Sequence, residues 1–314
     1  MPKACGKYSS YCGDFRHAGP LSIIAGMKAV VDLHSHSRFS DGTLSATDLV
    51  ALAASRGVAL MALTDHDELS GVSQARAEAA RHHMQFVAGV EISSQWCGMA
   101  IHIVGLRVDE QSAPLLQTLA NVREKRIVRA QAMGQAFAKV GIDGMFEGAM
   151  AYAPNPQLVS RTHFARHLID SGVCGSMGEV FARFMKPGKP GFVADDWLPM
   201  SDSIQAIHGA GGRAVIAHPG RYDTTWTGGA NGLLKAFADA GGDGVEVVCA
   251  AHHPHEWAEY GALARKYSLL ASIGSDFHSP YESRVKFGDL PLLSPSLKPV
   301  WHDWPEAETL LRRT

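Results

Sequence analysis

Cysteine is scarce in this sequence and follows no pairing pattern. The five present (Cys5, Cys12, Cys97, Cys174 and Cys249) are odd in number and scattered, with no Cys-x-x-Cys pair. That excludes a disulfide framework and a structural zinc knuckle, and it favours a reducing, cytoplasmic setting. Long apolar runs are missing too. The patch at residues 21–24 is too short for a signal core or a membrane span, so no membrane partner is expected. Basic charge is not in excess either. With a formal net charge of −2 the chain has no global field for long DNA, although a few local Arg and Lys side chains could hold a short anionic ligand. No internal repeat or low-complexity tract breaks the pattern.

Histidine, by contrast, is abundant, at sixteen in 314 residues, within a composition (46% hydrophobic, 19% charged) that is ordinary for a globular chain. Residues 1–26 are turn-rich and aperiodic and are expected to form a poorly ordered extension, with Met27 as a possible true start. From there, apolar runs at 29–33, 59–63, 86–90, 101–106, 214–217, 244–248 and 269–273 alternate with amphipathic segments at 46–55, 72–82, 202–209, 233–240 and 255–267. Ser45 with Asp48 matches a capping box, and Gly57 sits where the first helix should end. Strand and helix alternating in this way predict parallel βα units in an α/β fold. The seven runs predict a distorted (β/α)7 barrel built from residues 27–107 and 200–314. Between 108 and 199 the alternation gives way to polar helical sequence, read as a helical insert over the C-terminal rim of the barrel.

The stretch "VVDLHSHSRFSDG", residues 30–42, ends an apolar strand with two histidines. Side chains two apart on a strand share a face, so Asp32, His34 and His36 align, and Asp41 returns from the following loop. Functional groups of parallel barrels gather at the C-terminal strand ends. There the second run offers Asp65, His66 and Asp67, the third Glu91, and the fourth contains His102. The fifth offers His218 and Arg221, the sixth contains Glu246 and precedes His252 and His253, and the seventh offers Asp276 and His278. So many imidazoles and carboxylates at one mouth are costly to bury without compensating charge. Divalent cations supply it, and nitrogen and oxygen donors without thiolate suit manganese, iron or zinc. The competing reading is a polar rim of individually satisfied histidines.

The motifs "DLHSHSRFSDG", "LTDHD", "GVE", "AHPG" and "GSDFH" resemble the PHP (polymerase and histidinol phosphatase) family over residues 29–106 and 212–280. The resemblance implies a trinuclear site in a distorted (β/α)7 barrel, with Mn2+ the expected ion and Fe2+ or Zn2+ the alternatives. Carried over by position, the first ion takes His34, His36, Glu91 and Asp276. The second shares Glu91 and adds His102 and His218, and the third takes Asp41, His66 and His278. Within the family, "SRTHFARHL", "KPGKPGF" and "AHPGRY" resemble 3′,5′-nucleotide bisphosphate phosphatases, also described as 5′-to-3′ exoribonucleases on short RNA (the ribonuclease AM type). That narrower likeness reaches across residues 159–192 but not 1–26. It implies a small nucleotide or a short RNA as substrate.

Such a site suits phosphate ester hydrolysis by a metal-bridging hydroxide. A metal-bound water, Asp65 or His252 is the candidate proton donor to the leaving oxygen. Phosphate recognition is expected from Arg161 and His163 in "SRTH", Lys186 and Lys189 in "MKPGKPG", and Arg221. Capping or packing within its helix is the alternative for His163. Asp32 lies one step deeper than His34 and should support it by hydrogen bonding. His17, His82, His83, His167, His208, His255 and His302 are expected to face solvent or pack. Three rival functions follow from the same residues. A histidinol-phosphate phosphatase would share the metals and differ in its pocket. An amidohydrolase usually calls for a strand-end lysine or Asp base, and no strand end here offers a lysine. A non-catalytic metal-binding module should lack ligands, and none is missing. Oligomeric state is not legible at this level.

Overall fold

The structure, a computed structural model, describes residues 29–311, so the reading for residues 1–26 lies outside the described residues. β1 (Val30–Asp32) leads through α1 (Ala46–Ser55) to its parallel partner β2 (Val58–Leu63). The punctuation of α1 is as its sequence dictates. Ser45 Oγ accepts the Asp48 N–H and donates to the Asp48 carboxylate, and Gly57 leaves the helix at φ 79°. α2 (Val72–Arg81) then carries the chain to β3 (Gln85–Trp96), which pairs in parallel with β2.

Parallel pairing is interrupted at the next strand, where the sequence has no helix between the third and fourth apolar runs. β4 (Met99–Leu106) runs antiparallel to β3, because Cys97 and Gly98 join them in a two-residue turn with φ of 49° and 73°. Positive φ at both central residues is the type I′ geometry whose twist suits a tight hairpin. A two-residue turn leaves no room for the crossover helix that parallel neighbours require. β3 therefore extends six residues past the predicted 86–90 run, and His102 reaches the site from mid-strand rather than from a strand end.

The helical segment follows as α3 (Ala113–Ala138), α4 (Met145–Met150), α5 (Arg161–Asp170) and α6 (Met177–Val180). The chain returns through a short β5 (Leu198–Pro199) beside β3, then α7 (Met200–Gly209) and β6 (Arg213–Ile216), which is antiparallel to β4. Parallel units resume with α8 (Gly229–Asp239), β7 (Gly244–Cys249), α9 (Pro254–Lys266) and β8 (Leu270–Gly274). The sheet order is β1-β2-β3-β4-β6-β7-β8, with β5 off the path. Backbone bonds tie its two ends: the Leu33 N–H donates to Ile273 O at 3.0 Å, the Asp276 N–H to His34 O at 2.9 Å and the His36 N–H to Phe277 O at 2.8 Å. This is an α/β barrel with one inverted strand. Among the described residues, no helix is long and apolar enough to cross a membrane.

Two apolar clusters stabilise it. The larger fills the barrel and its helix layer, around Leu60, Met61, Leu63, Ile92, Ile103 and Ile216. The smaller unites Ala130, Met133, Phe137, Phe164, Phe184 and Met185 in the helical segment. α3 serves both, since Leu115 and Leu119 belong to the first cluster while Met133 and Phe137 belong to the second. At about 1.5 Å per residue this 26-residue helix is a rod of about 39 Å, long enough to bolt the helical wall to the barrel. Phe137 is fully buried and packs against the rings of Phe164 and Phe184, at 6.1 and 5.5 Å between centroids. Phe137→Ala is therefore expected to lower the unfolding free energy by about 3–5 kcal/mol, measured by urea unfolding.

Candidate metal centre

β1 runs directly into His34 and His36, both fully buried. Their Nε2 atoms face each other at 3.1 Å. Glu91 Oε2 lies 3.3 Å from each, and Asp276 Oδ1 lies 3.5 Å from His34 Nε2 and 3.2 Å from His36 Nε2. Ligand atoms placed tetrahedrally about 2.1 Å from an ion stand roughly 3.4 Å apart, so this spacing is that of a coordination shell. Asp41, His66 and His278 form a second donor group with His36, in which His278 Nε2 is 3.2 Å from Asp41 Oδ1. A third joins His66, Glu91 and His102. His102 Nδ1 and His218 Nε2 approach Glu91 Oε1 at 2.8 and 2.9 Å.

All the donors named from the sequence thus converge, with one refinement. His66 was assigned to Asp41 and His278 alone, but it faces two ways, with Nδ1 2.9 Å from Glu91 Oε2 and Nε2 3.9 Å from Asp41 Oδ1. Several donor atoms are buried without a hydrogen-bond partner: Asp41 Oδ1, Glu91 Oε2, His66 Nδ1 and His218 Nδ1. Buried polar atoms are rarely left so; Asp41 belongs to one donor group and Glu91 with His66 to another, so more than one cation would be needed to satisfy them. The electrostatics agree. Burial opposes charge on His34 and His36, yet the surrounding carboxylates outweigh it. Glu246, Glu91 and Asp276 hold the His34 pKa well above its usual value, and bonds to Asp276 and Glu91 lift that of His36 to about 10. Glu91, Asp41 and Asp276 stay ionised well below the usual carboxylate range despite burial, because imidazoles surround them. The site demands positive charge, and divalent ions would meet that demand while releasing the protons.

A ring of supporting groups fixes these donors. Glu246 Oε1 accepts from His34 Nδ1 at 2.7 Å, and its Oε2 accepts the His218 N–H at 2.6 Å. Asp32 accepts the backbone N–H groups of Ser275 and His34, as its deeper position on β1 suggested, and burial raises its pKa to about 6. Ser160, at the N-terminus of α5, donates to Asp41 Oδ2 at 3.0 Å, and Arg166 donates to Asp41 O at 2.8 Å. His218 and Asp276 themselves have φ of 30° and 51°, a left-handed backbone that costs of order 1–3 kcal/mol where no glycine is present. Gly274 is needed for close approach, since a Cβ there would meet His34 Cβ at 2.3 Å.

Of the expected catalytic and substrate-binding residues, Asp65, His252, His163 and the two lysines do not line the cavity. Asp65 is buried and takes the Ser37 N–H, Ser37 Oγ and Ser40 Oγ at 2.6–2.7 Å, so it shapes the loop between His36 and Asp41 and lies outside the cavity lining. His252 has both ring nitrogens engaged, Nδ1 donating to Val247 O and Nε2 accepting the Gly220 N–H, each at 3.0 Å. His163 is fully buried, and its Nδ1 accepts the Ser160 N–H at 3.0 Å in a capping box, the alternative its helical position allowed. Lys189, like Lys186, is exposed outside the cavity lining. Arg161 and Arg221 do line it.

That cavity, about 600 Å³, has the donor cluster on one wall and helical-segment guanidiniums on another. Arg161 Nη2 reaches Asp195 Oδ2 at 2.6 Å, and Arg129 pairs with the other oxygen of the same carboxylate. Arg126 bonds Asp67 Oδ2 at 2.6 Å and Ser93 Oγ at 2.7 Å. The guanidiniums of Arg126 and Arg129 pack over the Trp197 ring, at 5.4 and 4.5 Å. Three cations share two carboxylates here. Burial, reinforced by the neighbouring Arg161 and Arg126, pulls the Arg129 pKa down to about 9, and its Nε has no partner. The wall is short of negative charge. Sequence reading passed over Arg126, Arg129, Asp195 and Trp197. Arg123, Arg126 and Arg129 recur every third residue, which places them on one helix face, but such a pattern more often marks a solvated surface.

Fold and donor cluster together are those of the metal-dependent phosphoesterase barrels, and the chain belongs to the PHP family. The PHP domain model matches residues 32–159. A 3′,5′-nucleoside bisphosphate phosphatase of Chromobacterium violaceum is 45% identical over 275 residues, covering 88% of this chain and 96% of that one. The 5′-3′ exoribonuclease Rnm of Salmonella typhimurium is 38% identical over 283 residues, covering 89% and 95%. Among solved structures, an amidohydrolase from Chromobacterium violaceum with bound sulfate and no metal superposes with a TM-score of 0.83 at 44% identity, covering 91% and 97%.

Outer partners of metal-ligating histidines typically set metal affinity within a factor of 10–100. Glu246→Ala is therefore expected to weaken divalent-metal binding about 10–100-fold with an unchanged far-UV circular dichroism spectrum, as read by titration against a competing chelator.

Proposed function

We propose that this chain is a metal-dependent phosphatase of 3′,5′-nucleoside bisphosphates that also shortens 5′-phosphorylated RNA from its 5′ end. One observation carries the reading: a single cavity presents two separate walls that can take phosphate, the imidazole–carboxylate cluster once it holds divalent ions and the cation-rich face of Arg126, Arg129 and Arg161. A substrate with phosphates on both the 5′ and 3′ oxygens uses both. A histidinol phosphate, with one phosphate, would leave the arginine wall, where three cations share Asp67 and Asp195, without a phosphate partner. The bisphosphate phosphatase and exoribonuclease named above, both similar along most of their length, support the same choice.

His34, His36, Asp41, His66, Glu91, His102, His218, Asp276 and His278 are the ligands we assign, holding three divalent ions, with manganese preferred over iron or zinc. When bound, such ions supply an activated water and neutralise the charge that builds on the phosphoryl oxygens. Arg221, half-exposed and 2.8 Å from Asp276 Oδ2, is placed to hold an oxygen of the phosphate being cleaved. Arg161 and Arg129 bind the other phosphate. To do so they exchange part of their contact with Asp195 for phosphate oxygens, which match the guanidinium fork equally well. Trp197 keeps the two helical arginines in place from behind. Asp65 and His252 act as positioning residues, because neither has a free polar atom turned to the cavity. The free state of Cys97, Cys174 and Cys249 supports a reducing, cytoplasmic location.

Purified protein should release phosphate from adenosine 3′,5′-bisphosphate, lose that activity to a chelator and regain it with Mn2+. Absence of release from the metal-loaded protein would sink the reading. A charge-assisted bond contributes about 1.5–3 kcal/mol. Arg161→Ala should accordingly lower kcat/KM on the bisphosphate about 10–100-fold more than on a simple phosphomonoester, and equal losses on both would count against a second phosphate pocket.

A further inference from the structure

Every other arginine lining the cavity is matched by a carboxylate: Arg126 by Asp67, Arg129 and Arg161 by Asp195, Arg221 by Asp276. Arg284 lines the same cavity, is exposed, and among the described residues has no hydrogen bond or ion pair. Three residues earlier on the same loop, Tyr281 is 95% exposed. A lone exposed aromatic means little, but this one stands on a loop held rigid from several sides. Ser283 Oγ accepts the N–H groups of His278 and Ser279 at 2.8 and 3.0 Å, and the Ser283 N–H donates to Ser279 O at 3.1 Å. Lys286 Nζ caps Pro280 O and Ser283 O. Glu282 is taken up by Arg166 through both oxygens, at 2.9 and 2.7 Å, so it does not compete for Arg284. The loop begins at His278 in the donor cluster, its residues Glu282, Ser283 and Arg284 line the cavity, and Tyr281, whose N–H donates to Ser279 Oγ at 3.2 Å, stands immediately before them in the chain.

We infer that Tyr281 and Arg284 form the subsite for the second nucleotide of a single-stranded RNA, Tyr281 stacking its base and Arg284 holding the phosphate that follows. Single-strand binders combine such a stacking face with a cation that tracks the backbone. Pre-ordering of the loop means little entropy is lost when the strand docks. A nucleoside bisphosphate ends inside the cavity and has no group to place there. The pair therefore determines preference between the two substrates of the proposed function, on which this inference rests.

The test compares wild-type, Tyr281→Ala and Arg284→Ala holoenzymes on adenosine 3′,5′-bisphosphate and on a 5′-phosphorylated triadenylate. Alongside, binding is measured of the same triadenylate carrying phosphorothioate linkages. Each substitution should lower kcat/KM on the RNA about tenfold relative to the bisphosphate. Arg284→Ala should also reduce the steepness with which binding weakens in salt by roughly one phosphate contact, an effect that Tyr281→Ala lacks. Equal losses on both substrates, or no change in trinucleotide binding, would overturn the subsite. If wild-type protein hydrolyses neither substrate but its trinucleotide binding still depends on both side chains, the catalytic reading falls and the subsite stands.

Discussion

Glu91 is buried to the point of having no exposed surface, and the imidazoles of His34, His36, His66, His102 and His218 all lie within 3.3 Å of one of its oxygens. A carboxylate in that position is tolerable only if positive charge accompanies it. Around this constraint the rest of the barrel is arranged. Strands from both halves of the chain must deliver histidines to one point, and the backbone bonds between β1 and β8 bring His34 and Asp276 side by side. Glu246 and Asp32 then hold the β1 donors from behind, so the strand ends are fixed before any ion arrives.

The inverted strand has a functional consequence. A continuous parallel barrel would present His102 only at a strand end. The Cys97–Gly98 hairpin turns β4 back along β3, which pairs Ser93 with His102 and sets that imidazole beside Glu91. It also lengthens β3, so Ser93 comes within reach of Arg126 on α3. The same helix shares apolar contacts with the barrel at one end and with the helical segment at the other. The metal-seeking wall and the cation-rich wall are thus linked by one helix, whose packing sets their separation.

How much of this was legible varied with the physics of each group. Metal donors stood out because histidine and carboxylate at strand ends break an otherwise apolar pattern, and "HSH" on a strand forces both rings to one side. Strand positions came within a few residues except for β3, whose extension depends on a turn with the unremarkable sequence "WCG". Arg126 and Arg129 were missed because a helix of polar character is usually solvated, and only the approach of Trp197, Asp67 and Asp195 in the fold encloses them. Asp65, His252 and His163 misled for the converse reason. Each has chemically able atoms, but hydrogen bonds already occupy those atoms, wholly in Asp65 and His252 and at one nitrogen in His163, and hydrogen-bond partners 28, 5 or 3 residues away are not written in local pattern alone.

The sequence by itself determined which imidazoles and carboxylates stand along and after the strands, and the alternation that builds an α/β barrel. These depend on residue type and short-range spacing, which a chain carries before it folds. Tertiary structure alone decided which polar groups remain unpartnered, since that depends on what else packs nearby. It is why, among the described residues, Arg284 has no carboxylate partner while Arg161 is paired with Asp195, and why one mouth carries a cation-rich wall beside the metal-seeking one.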